Sequence, residues 1–221
     1  LFEMMSKDSS AWSLPNPNEY IYSSVMTICA RNQQFGSVSA LLDAAHKDTN
    51  FVVNTWIYNS VLQGIVHTSQ RRYNSSMQKR SRSWMGTLRN KRLKTALRLV
   101  RRMEEEGQQA SPDVITYNTL LSALSQVATS LGVSDWSDLR NIGNMSVEDS
   151  VESVVHEIID RMETRNIDRT AATYSHALQT LQGRPYSAFS SLLSLCWEDI
   201  GLCTLTCNAA LSTASSSGQT D

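Results

Sequence analysis

The sequence predicts an all-α fold, a line of antiparallel helix-turn-helix repeats, and three observations carry that prediction. A short pattern led by an aromatic residue recurs along the chain. A second, apolar pattern alternates with it, and proline and glycine stand between the two.

The first pattern reads YIYSSVM from Tyr20 to Met26, WIYNSVL from Trp56 to Leu62, ITYNTLL from Ile115 to Leu121 and ATYSHAL from Ala172 to Leu178. A weaker copy, LTCNAAL, runs from Leu205 to Leu211. In each, an aromatic or cysteine is followed by Asn or Ser and then by apolar residues at helical spacing, the signature of the opening turns of an amphipathic helix. The tyrosine falls within the apolar stripe and is expected in the core. The small polar residue after it (Ser23, Asn59, Asn118, Ser175 or Asn208) lies further round the helix and is expected to face away from that core.

The second pattern reads LFEMM at Leu1 to Met5, LLDAA at Leu41 to Ala45, LVRRM at Leu99 to Met103 and IIDRM at Ile158 to Met162. Two adjacent apolar residues followed by Met or Ala one turn on mark the buried face of a second helix. Pro15 and Pro17 precede the first copy of the first pattern. Gly107 and Pro112 separate LVRRM from ITYNTLL, and Gly183 and Pro185 end the fourth first helix. The opening LFEMM has no first helix before it, LTCNAAL has no second helix after it, and Leu1 replaces an initiator Met. The chain is therefore expected to start and stop inside repeats.

Tyr22, Tyr58, Tyr117, Tyr174 and Cys207, taken as equivalent points, are 36, 59, 57 and 33 residues apart. The two long intervals carry about 24 and 22 surplus residues over a repeat of about 35. The surplus falls between first and second helices, at about 68–91 and 128–147, and insertions there are expected to be poorly packed and on one edge of the stack. The expected division is a second helix at 1–18, repeats at 19–54, 55–113, 114–170 and 171–203, and a further first helix with a polar tail at 204–221.

The segment SPDVITYNTLLSAL, Ser111 to Leu124, resembles the pentatricopeptide-repeat consensus for the end of one repeat and the first helix of the next. ALRLVRRMEEEG, Ala96 to Gly107, resembles its second helix. The resemblance implies a right-handed superhelical solenoid whose first helices line a concave face, and binding of single-stranded RNA without catalysis. It also implies a code of one base per repeat, in which the residue after the tyrosine and the last residue of the same repeat bond one base. On this mapping the first set is Ser23, Asn59, Asn118, Ser175 and Asn208, and the last residues are Asn54, Asp113, Thr170 and Cys203. The pair Ser23 with Asn54 would favour adenine, Asn59 with Asp113 uracil, and Asn118 with Thr170 would lean to cytosine. Cys203 departs from the pattern, since a thiol reads bases poorly. Two positions before the tyrosine, where the family sandwiches bases, stand Tyr20, Trp56, Ile115, Ala172 and Leu205, and Tyr20 and Trp56 are suited to stacking.

Charge sharpens the expectation. The chain has 221 residues and a formal net charge of -1, yet no acidic residue lies between Asp48 and Glu104, while Arg71, Arg72, Lys79, Arg80, Arg82, Arg89, Lys91 and Arg92 gather there with further basic residues. Such a cluster attracts phosphates by releasing counterions, and these eight are the phosphate-binding candidates. Tyr73 and Trp84 stand among them.

Other functions lose ground. No HxxxH, HxE, GxSxG or glycine-rich phosphate loop occurs, so no catalytic residue is expected. Cys29, Cys196, Cys203 and Cys207 lack paired CxxC spacing, so neither metal nor cofactor is expected, and no apolar run is long enough for a membrane span. The resemblance places the protein in a mitochondrion or plastid, in organellar RNA metabolism or translation. The rivals are a protein-interaction or ribosome-associated scaffold whose partners are ribosomal or other proteins, and the RNA-binding half of a larger RNA-processing enzyme.

Overall fold

A computed structural model of the protein describes residues 17–48, 52–66, 82–128, 151–201 and 203–216. Among these residues every regular element is helical and no strand occurs. The helices are α1 (Glu19–Arg31), α2 (Phe35–Lys47), α3 (Thr55–Val66), α4 (Arg82–Glu106), α5 (Val114–Ala128), α6 (Val151–Thr164), α7 (Ala171–Thr180), α8 (Tyr186–Ile200) and α9 (Thr204–Ser216), with a short 3₁₀ turn at Gln108–Ala110.

Consecutive helices pair as hairpins: α1 with α2, α3 with α4, α5 with α6 and α7 with α8. The first helices α1, α3, α5, α7 and α9 then pack side by side, each against the next. The result is an all-α solenoid of helical repeats, with first helices in one layer and second helices in the other. A continuous apolar core runs through it from Tyr22 to Ala209. Tyr22, Tyr58, Tyr117 and Tyr174 are all buried there, as their place in the apolar stripe predicts, and so are Leu42, Ala45, Leu99, Val100, Met103, Ile158, Ile159 and Met162 of the second helices.

The first helices begin alike. The Tyr22 N–H donates to the Asn18 carbonyl, Tyr58 to Asn54, Tyr117 to Asp113, Tyr174 to Thr170 and Cys207 to Cys203. The five copies are therefore in one structural register despite their unequal sequence spacing. Second helices end where the chain can reverse its hand. Gly107 follows α4 at φ 81° and Gly201 follows α8 at φ 70°, a region that glycine enters without strain.

Of the expected inserts, 67–81 and 129–150 lie outside the described residues, as do 1–16. Residues 82–91, assigned to the first insert, are instead the opening turns of α4, which runs unbroken to Glu106. The segment is rich in Leu, Arg and Lys, strong helix formers, and holds a single glycine and no proline, so nothing in it stops the helix short of Gly107.

The first helices α1 and α3 approach closely at Gly64. A Cβ built there would stand 3.2 Å from the Ala30 Cβ and 3.2 Å from the Thr27 carbonyl oxygen of α1. A valine must push the α1–α3 contact apart. Gly64→Val should lower stability by about 1–3 kcal/mol, the usual cost of overpacking, as read from urea or thermal unfolding followed by circular dichroism. An unchanged midpoint would show that the two helices are not in that contact.

Candidate nucleic-acid interface

The residues two positions before each tyrosine emerge from the stack because they lie on the side of the helix turned away from the core. Tyr20 is 62% exposed, Trp56 48%, Ile115 47% and Leu205 49%, and Ala172 is half-buried. Four large apolar side chains thus stand on the exposed side of α1, α3, α5 and α9. The Tyr20 and Trp56 rings meet edge to face, 5.5 Å between centroids at 65°.

Beside this apolar row lies a polar one. The four N–H groups opening any helix have no intrahelical acceptor, and here the last residue of each repeat supplies one. Asn18 Oδ1 accepts the Ile21 N–H at 3.0 Å, Asn54 Oδ1 the Ile57 N–H at 3.1 Å and Asp113 Oδ1 the Thr116 N–H at 2.9 Å. Thr170 forms a reciprocal capping box with Thr173. Cys203 takes the same place before α9: its N–H donates to the Thr206 hydroxyl at 3.0 Å, and the Thr206 backbone N–H draws its thiol pKa below the ordinary value.

At two boundaries the small polar residue of one first helix reaches the cap of the next. Asn59 Nδ2 donates to Asp113 Oδ1 at 3.0 Å although the two are 54 positions apart in sequence. Asn118 Nδ2 donates to Thr170 Oγ1 at 3.4 Å.

Facing away from the hairpin core does not leave these polar residues exposed. Ser23, Asn59 and Ser175 are buried, Asn59 with 7% of its surface exposed, and Asn118 is half-buried. Asn59 and Asn118 bond to the opening of the following first helix, which packs over them. Asn208 is exposed, and no described helix packs beyond α9. Ser23 and Asn54 have no bond to one another; the Asn54 amide lies 3.5 Å from the Glu19 carboxylate instead.

The basic candidates sit elsewhere. Arg71, Arg72, Lys79 and Arg80 lie outside the described residues, and Arg82 and Arg89 fall in the opening turns of α4. Lys91 is exposed, with its ammonium 5.7 Å from the centre of the Phe35 ring at the start of α2, and Arg92 is half-buried. Lys91 therefore belongs to the layer of second helices and not to the row of first-helix side chains. No group of three or more His, Cys, Asp or Glu able to hold a metal occurs among the described residues, and no described helix is long and apolar enough to cross a membrane.

The buried tyrosines have partners that their motif does not announce. The Tyr58 hydroxyl donates to Glu106 at 2.7 Å, and Glu106 also receives Arg102 Nε at 2.7 Å and lies 3.0 Å from His46 Nε2. Tyr117 donates to Glu104 at 2.9 Å, which Arg161 approaches at 3.3 Å. Tyr174 donates to Asp199, itself paired with Arg169, and Tyr22 donates to Asp48 at 3.3 Å. The available signal was the acid that closes a second helix, as in Glu104 to Glu106 and Asp199.

A run of hairpins whose first helices open in one register defines a helical-repeat solenoid. Residues 85–126, which span most of α4, the Asp113 cap and nearly all of α5, match the family model of the pentatricopeptide repeat domain. The match identifies that segment as similar to a pentatricopeptide repeat, of a family whose repeats are non-catalytic and bind RNA. No curated protein matches the chain significantly.

Burial first, and then the adjoining carboxylate, raise the pKa of Tyr58, Tyr117 and Tyr174 above the ordinary 10.0. Below pH 10 tyrosine is neutral in both folded and unfolded chains. Above it the unfolded chain releases protons that the folded chain holds, so this contribution to stability is lost as pH rises. Melting temperature should fall on the alkaline side of pH 10, and Tyr58→Phe should flatten that fall while costing about 1 kcal/mol at neutral pH for its lost hydrogen bond. Equal alkaline slopes in the two proteins would contradict the assignment.

Proposed function

We propose that the exposed side of the first helices binds single-stranded RNA with a preference for particular bases, one base at each repeat boundary. The protein would act in organellar RNA metabolism or translation, in a mitochondrion or plastid. The carrying observation is the contact of Asn59 with Asp113 beside the exposed Trp56 and Ile115. Apolar side chains there offer stacking faces, and the polar pair offers a donor and an acceptor to the base edge. The family match at 85–126 supports RNA as the partner, since that segment supplies both Asp113 and Asn118. The basic segment of α4 adds a sequence-blind attraction to phosphate.

The chemistry favours uracil at the Asn59–Asp113 boundary. Asp113 Oδ1 is occupied by protein donors, and its second oxygen can accept the uracil N3–H. The remaining Asn59 amide hydrogen can donate to a uracil carbonyl. Asn118 with Thr170 presents an amide and a hydroxyl and no carboxylate, which suits the N3 acceptor of cytosine. In this role the chain binds and positions RNA and performs no reaction.

Short RNAs varied at one position test this by fluorescence anisotropy. The protein should prefer uracil there. Asp113→Asn, which keeps a good helix cap, should reduce that preference by roughly 1 kcal/mol, about fivefold in the ratio of dissociation constants. Trp56→Ala should weaken binding of every sequence by about 1–3 kcal/mol, the worth of one stacked base. If neither the unsubstituted chain nor Asp113→Asn distinguishes the four bases, the groove does not read RNA, and a protein partner for the apolar row becomes the account to pursue.

A further inference from the structure

Thr116 and Thr173 stand one turn into α5 and α7, wholly buried, and neither belongs to the residues expected to meet a base. Thr116 Oγ1 lies 2.7 Å from Asn59 Oδ1, and Thr173 Oγ1 lies 2.7 Å from Asn118 Oδ1. The same arrangement thus occurs at two successive boundaries. Resting on the RNA-binding reading above, we infer that these two threonines are positioning residues that fix which end of each asparagine amide is presented to the base, and so set base preference without touching RNA.

The inference follows from counting protons. A threonine hydroxyl has one proton to give. Thr116 Oγ1 accepts the Asp113 N–H at 3.1 Å, so its own proton is free to donate. Its possible acceptors are Asn59 Oδ1 and, at 2.9 Å, Asp113 Oδ1. Asp113 Oδ1 already receives the Thr116 N–H and Asn59 Nδ2, so the proton goes to the asparagine carbonyl. A carboxylate only accepts, so the amide nitrogen must face Asp113 while the amide oxygen faces Thr116. A flipped amide would set oxygen against carboxylate and nitrogen against a hydroxyl whose accepting side is taken.

At the second boundary the hydroxyl matters more. Thr170 can donate or accept, and so cannot alone decide which way the Asn118 amide points. Thr173 Oγ1 accepts the Thr170 N–H at 3.0 Å and has Asn118 Oδ1 at 2.7 Å and Thr170 Oγ1 at 3.1 Å within reach; its proton goes to the nearer amide oxygen, which turns Nδ2 toward Thr170. The other boundaries lack the lock. Ile57 holds the corresponding place opposite Ser23, and Thr206, opposite Ser175, lies 3.0 Å from the Cys203 carbonyl. The hydroxyl locks stand where the residue to be oriented is an amide, whose two ends differ.

The test uses the full chain with Thr116→Val, which keeps the shape and removes the hydroxyl, and Thr116→Ser, which restores it. RNAs are varied separately at the base facing Asn59 with Asp113 and at the base facing Asn118 with Thr170, and melting temperatures are recorded alongside. Thr116→Val should lose about fivefold in discrimination at the first base, the loss of about one hydrogen bond, and leave the ratio at the second unchanged. Thr116→Ser should recover it. Thr173→Val should do the converse, and it decides the matter if Thr116→Val does not fold. Valine variants that fold and keep the original ratios, or that lose discrimination equally at both bases, overturn the inference while the groove reading stands. A parent chain with no base preference at either position overturns both.

Discussion

Every first helix in the stack opens with backbone N–H groups that no carbonyl of its own can reach, and satisfying them shapes much of the molecule. Among the side chains that do so, Asn54, Asp113 and Thr170 each close one hairpin and start the next, and Asn18 starts the first described one. A capping side chain must stand at the end of its helix, where the preceding first helix passes beside it. The cap therefore becomes part of the contact between neighbouring repeats. In Asp113 one carboxylate oxygen holds both the Thr116 N–H and the Asn59 amide, which ties the start of α5 to the side of α3.

The apolar core supplies the larger driving force, and the tyrosines show how its edges are finished. A buried hydroxyl without a partner costs on the order of 1–3 kcal/mol, so each tyrosine reaches past the core to a carboxylate at its margin. Each of Glu106, Glu104 and Asp199 is in turn held by an arginine. The polar residues between neighbouring first helices follow the same rule and are bonded to one another at two boundaries. With a net charge of -1 the chain offers no global attraction to a polyanion. Affinity in the proposed groove would then rest on stacking and on a few oriented hydrogen bonds, with α4 as a local source of positive charge.

The sequence carried the fold well because the tyrosine copies and the paired apolar residues repeat at helical spacing, and spacing within one helix states which side is buried. It carried the interface less well. Periodicity shows that Asn59 leaves its own core, yet says nothing of a neighbouring helix packed over it, so burial of Ser23, Asn59 and Ser175 was not legible. The capping role of Asp113 was legible in retrospect: an acid directly before an apolar run is an N-terminal signal, and Thr116 lies at the reciprocal position. Glu106 and Asp199 were not legible as tyrosine partners, because that pairing joins two helices whose relative rotation the pattern does not encode. The length of α4 was missed because counting surplus residues placed an insertion without asking whether its last ten residues could continue a helix.

Backbone hydrogen exchange with and without a single-stranded RNA tests the central claim most directly, because it reports where along the chain the ligand lies. The capped openings of the first helices, 55–60, 114–119 and 171–176, should exchange more slowly when RNA is bound, since the base edges would sit on the caps that hold those N–H groups. The second helices α2, α6 and α8 should be unchanged. Slowing confined to α4, or to any second helix, would place the RNA on the other layer and contradict the account.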